Sequence, residues 1–296
     1  LLDAARSERP HHGWILSGAR GIGTATVARA VALRLLAEAA GPPPSGEGMD
    51  VSADHPIRHL IDAAAHPDYA DLTLLEKDSG FARNISIDQV RGLQRLLHSA
   101  PSLSDRRIVV IDSADDLERP AANALLKSLE EPPAGMLFLL ISHVPGRLLP
   151  TIRSRCRFLR FDPLSDPQVR EVLRTAAGVD PVELDALARV AHGSPGSALR
   201  YMGLGLADME RTLQLIATDG DPDNRHRIAL ARTLALKSAK PRYGAFLERI
   251  PSFIAASTGT RQGPALGRAI EHWEAARQLA GAALIPTLDP AAVALD

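Results

Sequence analysis

A glycine-rich stretch near the start of the chain has the spacing of a phosphate-binding loop. Residues 17–27 read SGARGIGTATV, so four residues separate Gly18 from Gly23, and Gly21 is one of them. In a P-loop, G-x-x-x-x-G-K-[ST], backbone N–H groups of such a segment surround the phosphates of a nucleotide. The glycines therefore predict a loop whose backbone can hold an anion, which leaves weak nucleotide binding open.

The side chains that would complete this loop are missing. A P-loop lysine contacts the β- and γ-phosphates, and the hydroxyl that follows it binds Mg²⁺. Here Thr24 occupies the lysine position and Ala25 the hydroxyl position, with Thr26 one residue later as a poor substitute. The loop is predicted to lack the cation and the metal ligand that nucleotide hydrolysis requires.

Acidic residues after a buried strand form the second element of a nucleotide site. The apolar run IVVI at 108–111 ends in Asp112, which is followed by Ser113 and then by Asp115. In a nucleotide hydrolase an acid at such a strand end binds Mg²⁺, and a further acid or polar group positions the attacking water. Because the loop lacks its own ligands, structural roles are favoured. Asp112 would hydrogen-bond at the strand end, and Asp115 would start the helix beyond.

Histidines supply the next set of candidate ligands. His55 and His59 have the i, i+4 spacing that places two imidazoles on one face of a helix. Asp54, His66 and Asp68 lie close by in the sequence. The alternatives are a metal site and histidines that are solvated or cap a helix. The second is favoured, and no metal is predicted.

The composition limits the class of protein. The chain has 296 residues, a formal net charge of -1 and a single cysteine, Cys156. A free-standing DNA-binding protein usually carries a basic excess, so any contact with nucleic acid should be local or shared with partners. One cysteine allows no internal disulfide and no four-cysteine zinc site, which suits a reducing cytoplasm. No apolar run reaches the length of a membrane span, so no membrane association is expected.

Strands and helices alternate along the first half of the chain. Hydrophobic periodicity predicts strands at 14–16, 70–75, 108–112 and 136–142, and helices at 26–40, 55–65, 87–99 and 121–130. This alternation predicts an α/β fold with a parallel sheet. From about residue 163 onward the periodicity is helical almost throughout. We therefore expect an α/β domain at 1–162, a small helical domain at 163–205 and a second helical domain at 206–296.

Several spaced motifs together are similar to the clamp-loader branch of the AAA+ proteins. The segment 109–133 contains the NALLK-LEEPP helix, and the segment 138–161 contains LLPTI-SRC. With the degenerate loop, and with HHGWILSGARGIG, AAAHPDY and ISIDQVRGL, they resemble the δ′ subunits of bacterial DNA polymerase III. The resemblance clearly covers residues 1–200. It implies a RecA-like AAA+ P-loop domain, a helical lid and an all-α collar domain for oligomerisation.

The resemblance implies a role for Ser154, Arg155 and Cys156, which match the SRC motif of clamp loaders. In those proteins the arginine reaches the ATP site of the neighbouring subunit, so Arg155 would be an arginine finger in trans. Guanidinium suits this task because it is planar, always charged and able to bind two phosphate oxygens. The alternative is a surface arginine in an arginine-rich turn. In the family the cysteine packs rather than reacts, and no base can be assigned to activate Cys156.

The resemblance also identifies further losses around the nucleotide. Ser113 replaces the catalytic glutamate of the AAA+ pattern, and Gly196 replaces the arginine of the sensor-2 motif. Ser142 occupies the sensor-1 position, where a hydrogen-bonded strand-end role is expected. Together with Thr24 and Ala25, four elements of ATP hydrolysis are absent. The chain is therefore expected to have no ATPase and no cofactor of its own, with ATP and Mg²⁺ bound by partner subunits.

The implied function is that of an ATPase-deficient stator which supplies Arg155 and helps to load the sliding clamp on primed DNA during replication. The implied partners are the γ/τ and δ clamp-loader subunits, with the clamp and primed DNA contacted through the complex in the cytoplasm. Two alternatives stay open. Thr24, Ser113 and Gly196 argue against an active γ/τ-like AAA+ motor, and the SRC motif argues against a non-catalytic interaction scaffold.

Overall fold

The protein is described here from a computed structural model. It describes the whole chain except residues 8, 78–79, 94–95, 98–99, 176–180, 259–260, 284–289, 291–292 and 294–296. The chain divides into two compact units, residues 1–164 and 165–296. The predicted three-domain division, with a boundary at residue 205, stays a prediction.

A five-stranded parallel sheet forms the centre of the first unit. Numbered along the chain, its strands are β1 (Gly13–Ser17), β2 (Tyr69–Thr73), β5 (Arg107–Asp112), β6 (Met136–Ser142) and β7 (Arg157–Arg160). They lie in the order β2-β5-β6-β1-β7, and every neighbouring pair is parallel. The short strands β3 (Glu76–Lys77) and β4 (Gly80–Phe81) form a separate antiparallel pair. The sheet confirms the predicted α/β fold.

Helices connect these strands. They are α1 (Leu2–Arg6), α2 (Thr24–Ala40), α3 (Pro56–Asp62), α4 (Ile87–Gly92), α5 (Arg119–Glu130) and α6 (Pro150–Arg153). Short 3₁₀ turns at Ala114–Asp116 and Pro145–Arg147 follow β5 and β6. Several helices start at residues suited to that position: Pro is the first residue of α3 and α6, and Ser86 forms a capping box with Gln89 at α4.

The core lies on both faces of the sheet. Along β5, Ile108 and Val110 face the cluster that contains α2, whereas Val109 and Ile111 face the cluster that contains α5. This burial on two sides explains why the central strands are continuous apolar runs rather than alternating ones. Because the strands are parallel, β1, β5 and β6 all end at one edge of the sheet, where the predicted nucleotide residues lie.

The fifth strand, β7, was not predicted from the sequence. It reads RFLR, is mostly exposed and pairs only with β1 at the edge of the sheet. Two arginines in four residues hide the apolar signal, and the strand exists because β1 offers it a row of backbone partners. The predicted helix at 87–99 is described as a helix over Ile87–Gly92, and residues 94–95 and 98–99 lie outside the described part.

The second unit contains only helices among its described residues. They are α7 (Asp166–Thr175), α8 (Pro181–Val190), α9 (Pro195–Tyr201), α10 (Leu206–Asp219), α11 (Arg225–Leu234), α12 (Lys240–Thr258) and α13 (Pro264–Ala283). Arg249 of α12 is buried and pairs with Glu210 of α10, so a charged pair joins these two helices. No described helix has both the length and the apolar character that a membrane crossing needs.

Candidate nucleotide edge and SRC turn

The glycine loop has the backbone conformation of a tight turn between β1 and α2. Gly21 has φ 78° and Gly23 has φ 104°, and both values lie in the left-handed region that favours glycine. Gly18 N donates a hydrogen bond to Ser142 O at 3.2 Å, and the ring Nδ1 of His143 lies 2.9 Å from Gly18 O. The loop is therefore tied to the end of β6. The N-terminus of α2 follows directly, a position where backbone N–H groups favour an anion.

The side chains after the loop do not replace the missing ones. Thr24 is the first residue of α2 and is only 2% exposed, so its hydroxyl is not available to an ion in solution. Ala25 has no polar side-chain atom, and Thr26 lies on the exposed surface of the helix. The three positions therefore bring no cation and no buried metal ligand to the loop.

Asp112 forms an ion pair with an arginine of the same chain. Arg29 of α2 donates from Nη2 to Asp112 Oδ2 at 3.0 Å and from Nε to Asp71 Oδ2 at 2.6 Å. Its Nη2 also lies 3.3 Å from Asp71 Oδ1. Burial lowers the pKa of Arg29, but the hydrogen bonds and charges of the two carboxylates outweigh it and raise the pKa overall. The guanidinium thus neutralises the acidic edge beside β5.

Asp115 is engaged by neighbours rather than open to solvent. Its carboxylate accepts hydrogen bonds from Ser142 Oγ at 2.7 Å, from the backbone N–H groups of His143 and Val144 at 2.5 and 3.2 Å, and from Ser113 Oγ at 3.0 Å. Burial acts to raise the pKa of Asp115, and these hydrogen bonds outweigh it and lower the pKa overall. Asp115 therefore joins the ends of β5 and β6.

One expectation about Asp115 is wrong in its detail. The residue lies in the 3₁₀ turn Ala114–Asp116, and the α-helix beyond begins only at Arg119. Its carboxylate points towards the end of β6, where it accepts hydrogen bonds from the backbone N–H groups of His143 and Val144. Ser142 is fully buried and donates to it, as expected of a hydrogen-bonded strand-end residue.

These contacts decide whether a magnesium-bound nucleotide, which the fold family implies, fits this edge. Asp112 is paired with Arg29, and the Asp115 carboxylate already has four donors. A metal ion at Asp112 would have to displace a guanidinium of the same charge sign. With Thr24 buried, the residues present do not fit a bound magnesium ion.

The SRC residues form a compact turn between α6 and β7. Ser154 Oγ donates to Thr151 O at 3.1 Å, and Arg155 Nη1 donates to the same oxygen at 2.9 Å and contacts Ser154 Oγ at 3.3 Å. Arg155 Nη2 lies 2.8 Å from Glu130 Oε1. The Arg155 side chain is 34% exposed, and its guanidinium is held at the surface of the unit by one carboxylate and by its own turn.

Cys156 has the environment of a packing residue. It is buried against β1, where a Cβ built on Gly13 would lie only 2.9 Å from its Sγ. Burial raises the pKa of the Cys156 thiol to about 11. The thiol is therefore protonated at neutral pH and is a poor nucleophile. Gly13 has no side chain because the cysteine fills that space.

The remaining predicted residues belong to other elements of the chain. Gly196 is the second residue of α9 in the second unit, after Ser194 at its N-cap. His55 caps α3 by accepting from Ile57 N at 3.2 Å, and its Nε2 lies 2.9 Å from Pro42 O. Within the described residues no three acidic, histidine or cysteine side chains are grouped as a metal site would require.

Sequence reasoning missed three residues of this region: Arg29, Asp71 and Glu130. Arg29 is separated from its two carboxylate partners by 42 and 83 residues. One feature of the sequence could have identified Arg29. An arginine in the second turn of the helix that follows the loop is close enough to reach the ends of the neighbouring strands. Glu130 belongs to the NALLK-LEEPP segment, but it is too far from Arg155 in the sequence for a local pattern to predict their contact.

Comparison with known proteins identifies relatives over the first unit. A family described as DNA polymerase III, delta subunit, matches residues 1–165, which is more than half of the chain. The DNA polymerase III subunit delta′ of Pseudomonas aeruginosa is 37% identical over 199 residues, which cover 67% of this chain and 57% of that relative. The subunit delta′ of Escherichia coli is 33% identical over 200 residues, which cover 67% of this chain and 57% of that protein.

Two more distant matches are to proteins named for the gamma subunit. The DNA polymerase III subunit gamma of Buchnera aphidicola subsp. Acyrthosiphon pisum is 30% identical over 199 residues, covering 66% of this chain and 52% of that protein. A solved structure of a gamma subunit-related protein from Thermotoga maritima is 19% identical with a TM-score of 0.49, covering 99% of this chain and 95% of that one. The chain thus spans 57% of the length of the two curated subunit delta′ relatives.

Proposed function

The chain belongs to the DNA polymerase III delta-subunit family, and we propose that it is a δ′-type clamp-loader subunit without ATPase activity of its own. The subunit delta′ relatives at 37% and 33% identity support the assignment to this type. The single observation that carries the loss of ATPase is the pairing of Arg29 with Asp112. This ion pair supports the proposal, because hydrolysis would need a metal ion beside the carboxylate that Arg29 contacts.

The second part of the proposal concerns Arg155. In the assembled complex this arginine would reach the nucleotide of the neighbouring subunit and stabilise the charge that develops on the γ-phosphate. Its exposure, and its anchoring by the Thr151 carbonyl, support this role because the head is presented at a fixed place. The partners would be the γ/τ and δ subunits, with the sliding clamp and primed DNA contacted through the complex.

The proposal is tested by Arg155→Ala in the reconstituted complex. In single-turnover measurements with clamp and primed DNA, ATP hydrolysis should be lost at the one site that Arg155 faces. At that site an arginine finger contributes about 10³-fold or more. Arg153→Ala is the matched control, since Arg153 is the exposed last residue of α6, two positions before Arg155. Hydrolysis equal to the wild type in both variants would favour the interaction scaffold.

The absence of ATPase is tested on the isolated chain. A fluorescent ATP analogue with Mg²⁺ is titrated into the protein, and steady-state hydrolysis is measured on the same sample. We expect no turnover, and at most weak binding by the backbone of the loop. Tight binding with turnover would instead favour the γ/τ-like motor and would contradict the role given to Arg29.

A further inference from the structure

Glu130 is the last residue of α5, and its side chain forms an ion pair with Arg155 of the SRC turn. Its Oε1 lies 2.8 Å from Arg155 Nη2, and the two side chains are 48% and 34% exposed. Within the described part of the chain this is the one ion pair that Arg155 forms. The neighbouring Glu131 is also exposed, and its side chain forms no ion pair with another described residue.

Two other contacts hold the arginine without help from Glu130. Nη1 donates to Thr151 O at 2.9 Å and contacts Ser154 Oγ at 3.3 Å, and both partners lie within four residues of Arg155. They fix the position of the guanidinium relative to its own turn. The carboxylate of Glu130 therefore adds charge at Nη2, and it is not required to orient the head.

A phosphate would need the nitrogen that the carboxylate now contacts. Guanidinium binds phosphate through two neighbouring N–H groups, so Nη2 has to be available. Carboxylate and phosphate are both anions, and placing them together on one nitrogen brings like charges into contact. The carboxylate and the phosphate therefore oppose each other's binding to Arg155, because two anions on one guanidinium repel.

We propose that Glu130 acts through Arg155 as an internal competitor, whose carboxylate gives up the guanidinium when Arg155 binds a phosphate on a neighbouring subunit. This inference rests on the proposed role of Arg155 as a finger in trans. It adds a step to that role, because the arginine then exchanges one anionic partner for another when the nucleotide site closes. The exchange keeps the free subunit's guanidinium paired until a phosphate replaces the carboxylate.

The test uses Glu130→Gln in the reconstituted complex, which keeps the shape of the side chain and removes its charge. We expect kcat/KM for ATP at the site facing Arg155 to rise by about 1.4-fold to fivefold, the range that exposed ion pairs span. The rise should shrink when salt is increased from about 0.01 M to about 0.15 M, because the Debye length falls from about 30 Å to about 8 Å. Glu131→Gln is the matched control and should leave kcat/KM unchanged.

A double variant separates this inference from the proposed function. If Glu130 acts through the arginine, Arg155→Ala and Arg155→Ala/Glu130→Gln should have equal rates. A lower kcat/KM in Glu130→Gln, or no change while Arg155→Ala loses activity, would overturn the inference and leave the finger in place. If Arg155→Ala itself had no effect, the proposed function would fail first, and the role of Glu130 would fall with it.

Discussion

Replacing Arg29 with methionine removes the cation that pairs with Asp71 and Asp112 at the candidate nucleotide edge. Methionine keeps an apolar stem of similar length, so packing along α2 is preserved. The change leaves Asp71 and Asp112 as two carboxylates on adjacent strands without a positive partner. The free energy of unfolding of the first unit should fall, because two charged hydrogen-bonding partners lose their donor.

The magnitude follows from burial. Arg29 is 39% exposed, and Asp71 and Asp112 are 26% and 25% exposed. Removing one partner of a fully buried pair costs about 3–5 kcal/mol, whereas a fully exposed pair contributes about 0–1 kcal/mol. These side chains lie between the two limits, so two pairs at about 1 kcal/mol each give a loss of about 2 kcal/mol.

Urea unfolding followed by tryptophan fluorescence measures this loss. The chain has two tryptophans, and Trp14 is buried in the first unit whereas Trp273 lies on α13 of the second. In a Trp273→Phe background the signal reports the first unit alone. Arg91→Met is the matched control, because its pair with Asp88 at 3.5 Å is exposed and should contribute less than about 0.5 kcal/mol.

This reasoning would be refuted if the free energy of unfolding of Arg29→Met stayed within about 0.5 kcal/mol of the wild-type value, as that of the exposed control Arg91→Met should. The double variant Arg29→Met/Asp112→Asn provides a second check. It should recover part of the loss, since the unpaired charge at Asp112 is then gone. Additive effects of the two changes would mean that the guanidinium and the carboxylate do not stabilise each other.

Three further outcomes are expected from the same region. Gly13→Ala should destabilise the first unit by about 1–3 kcal/mol in urea unfolding, because the new Cβ would meet Cys156 Sγ at 2.9 Å. Asp115→Asn should cost about 1–3 kcal/mol at neutral pH. Because the folded pKa of Asp115 is lowered, its contribution is present above a pH of about 4 and is lost as the pH falls through the folded pKa, so the variant should show a flatter pH dependence of stability in acid. Cys156, with its pKa raised to about 11, should react with iodoacetamide at pH 8 far more slowly in the folded chain than in urea, and equal rates would contradict its burial.

Much of the fold could be predicted because its signals are local. The apolar runs of β1, β5 and β6 predict buried strands, and the glycine turn before α2 predicts the loop between a strand and a helix. β7 could not be predicted in this way. Its four residues include two arginines, and an edge strand of this kind is defined by the neighbour with which it pairs.

The candidate site likewise has features that the sequence predicts and features that only the structure shows. The sequence by itself determined that Thr24 and Ala25 cannot perform the tasks of a lysine and a hydroxyl, because those losses are read from residue type at a fixed spacing. Only the tertiary structure decided which cation lies beside Asp112. Arg29 and Asp112 are 83 residues apart, and they meet because parallel strands end at one edge beside α2. An ion pair depends on distance in space, and that distance is set by the packing of the whole sheet rather than by any local pattern.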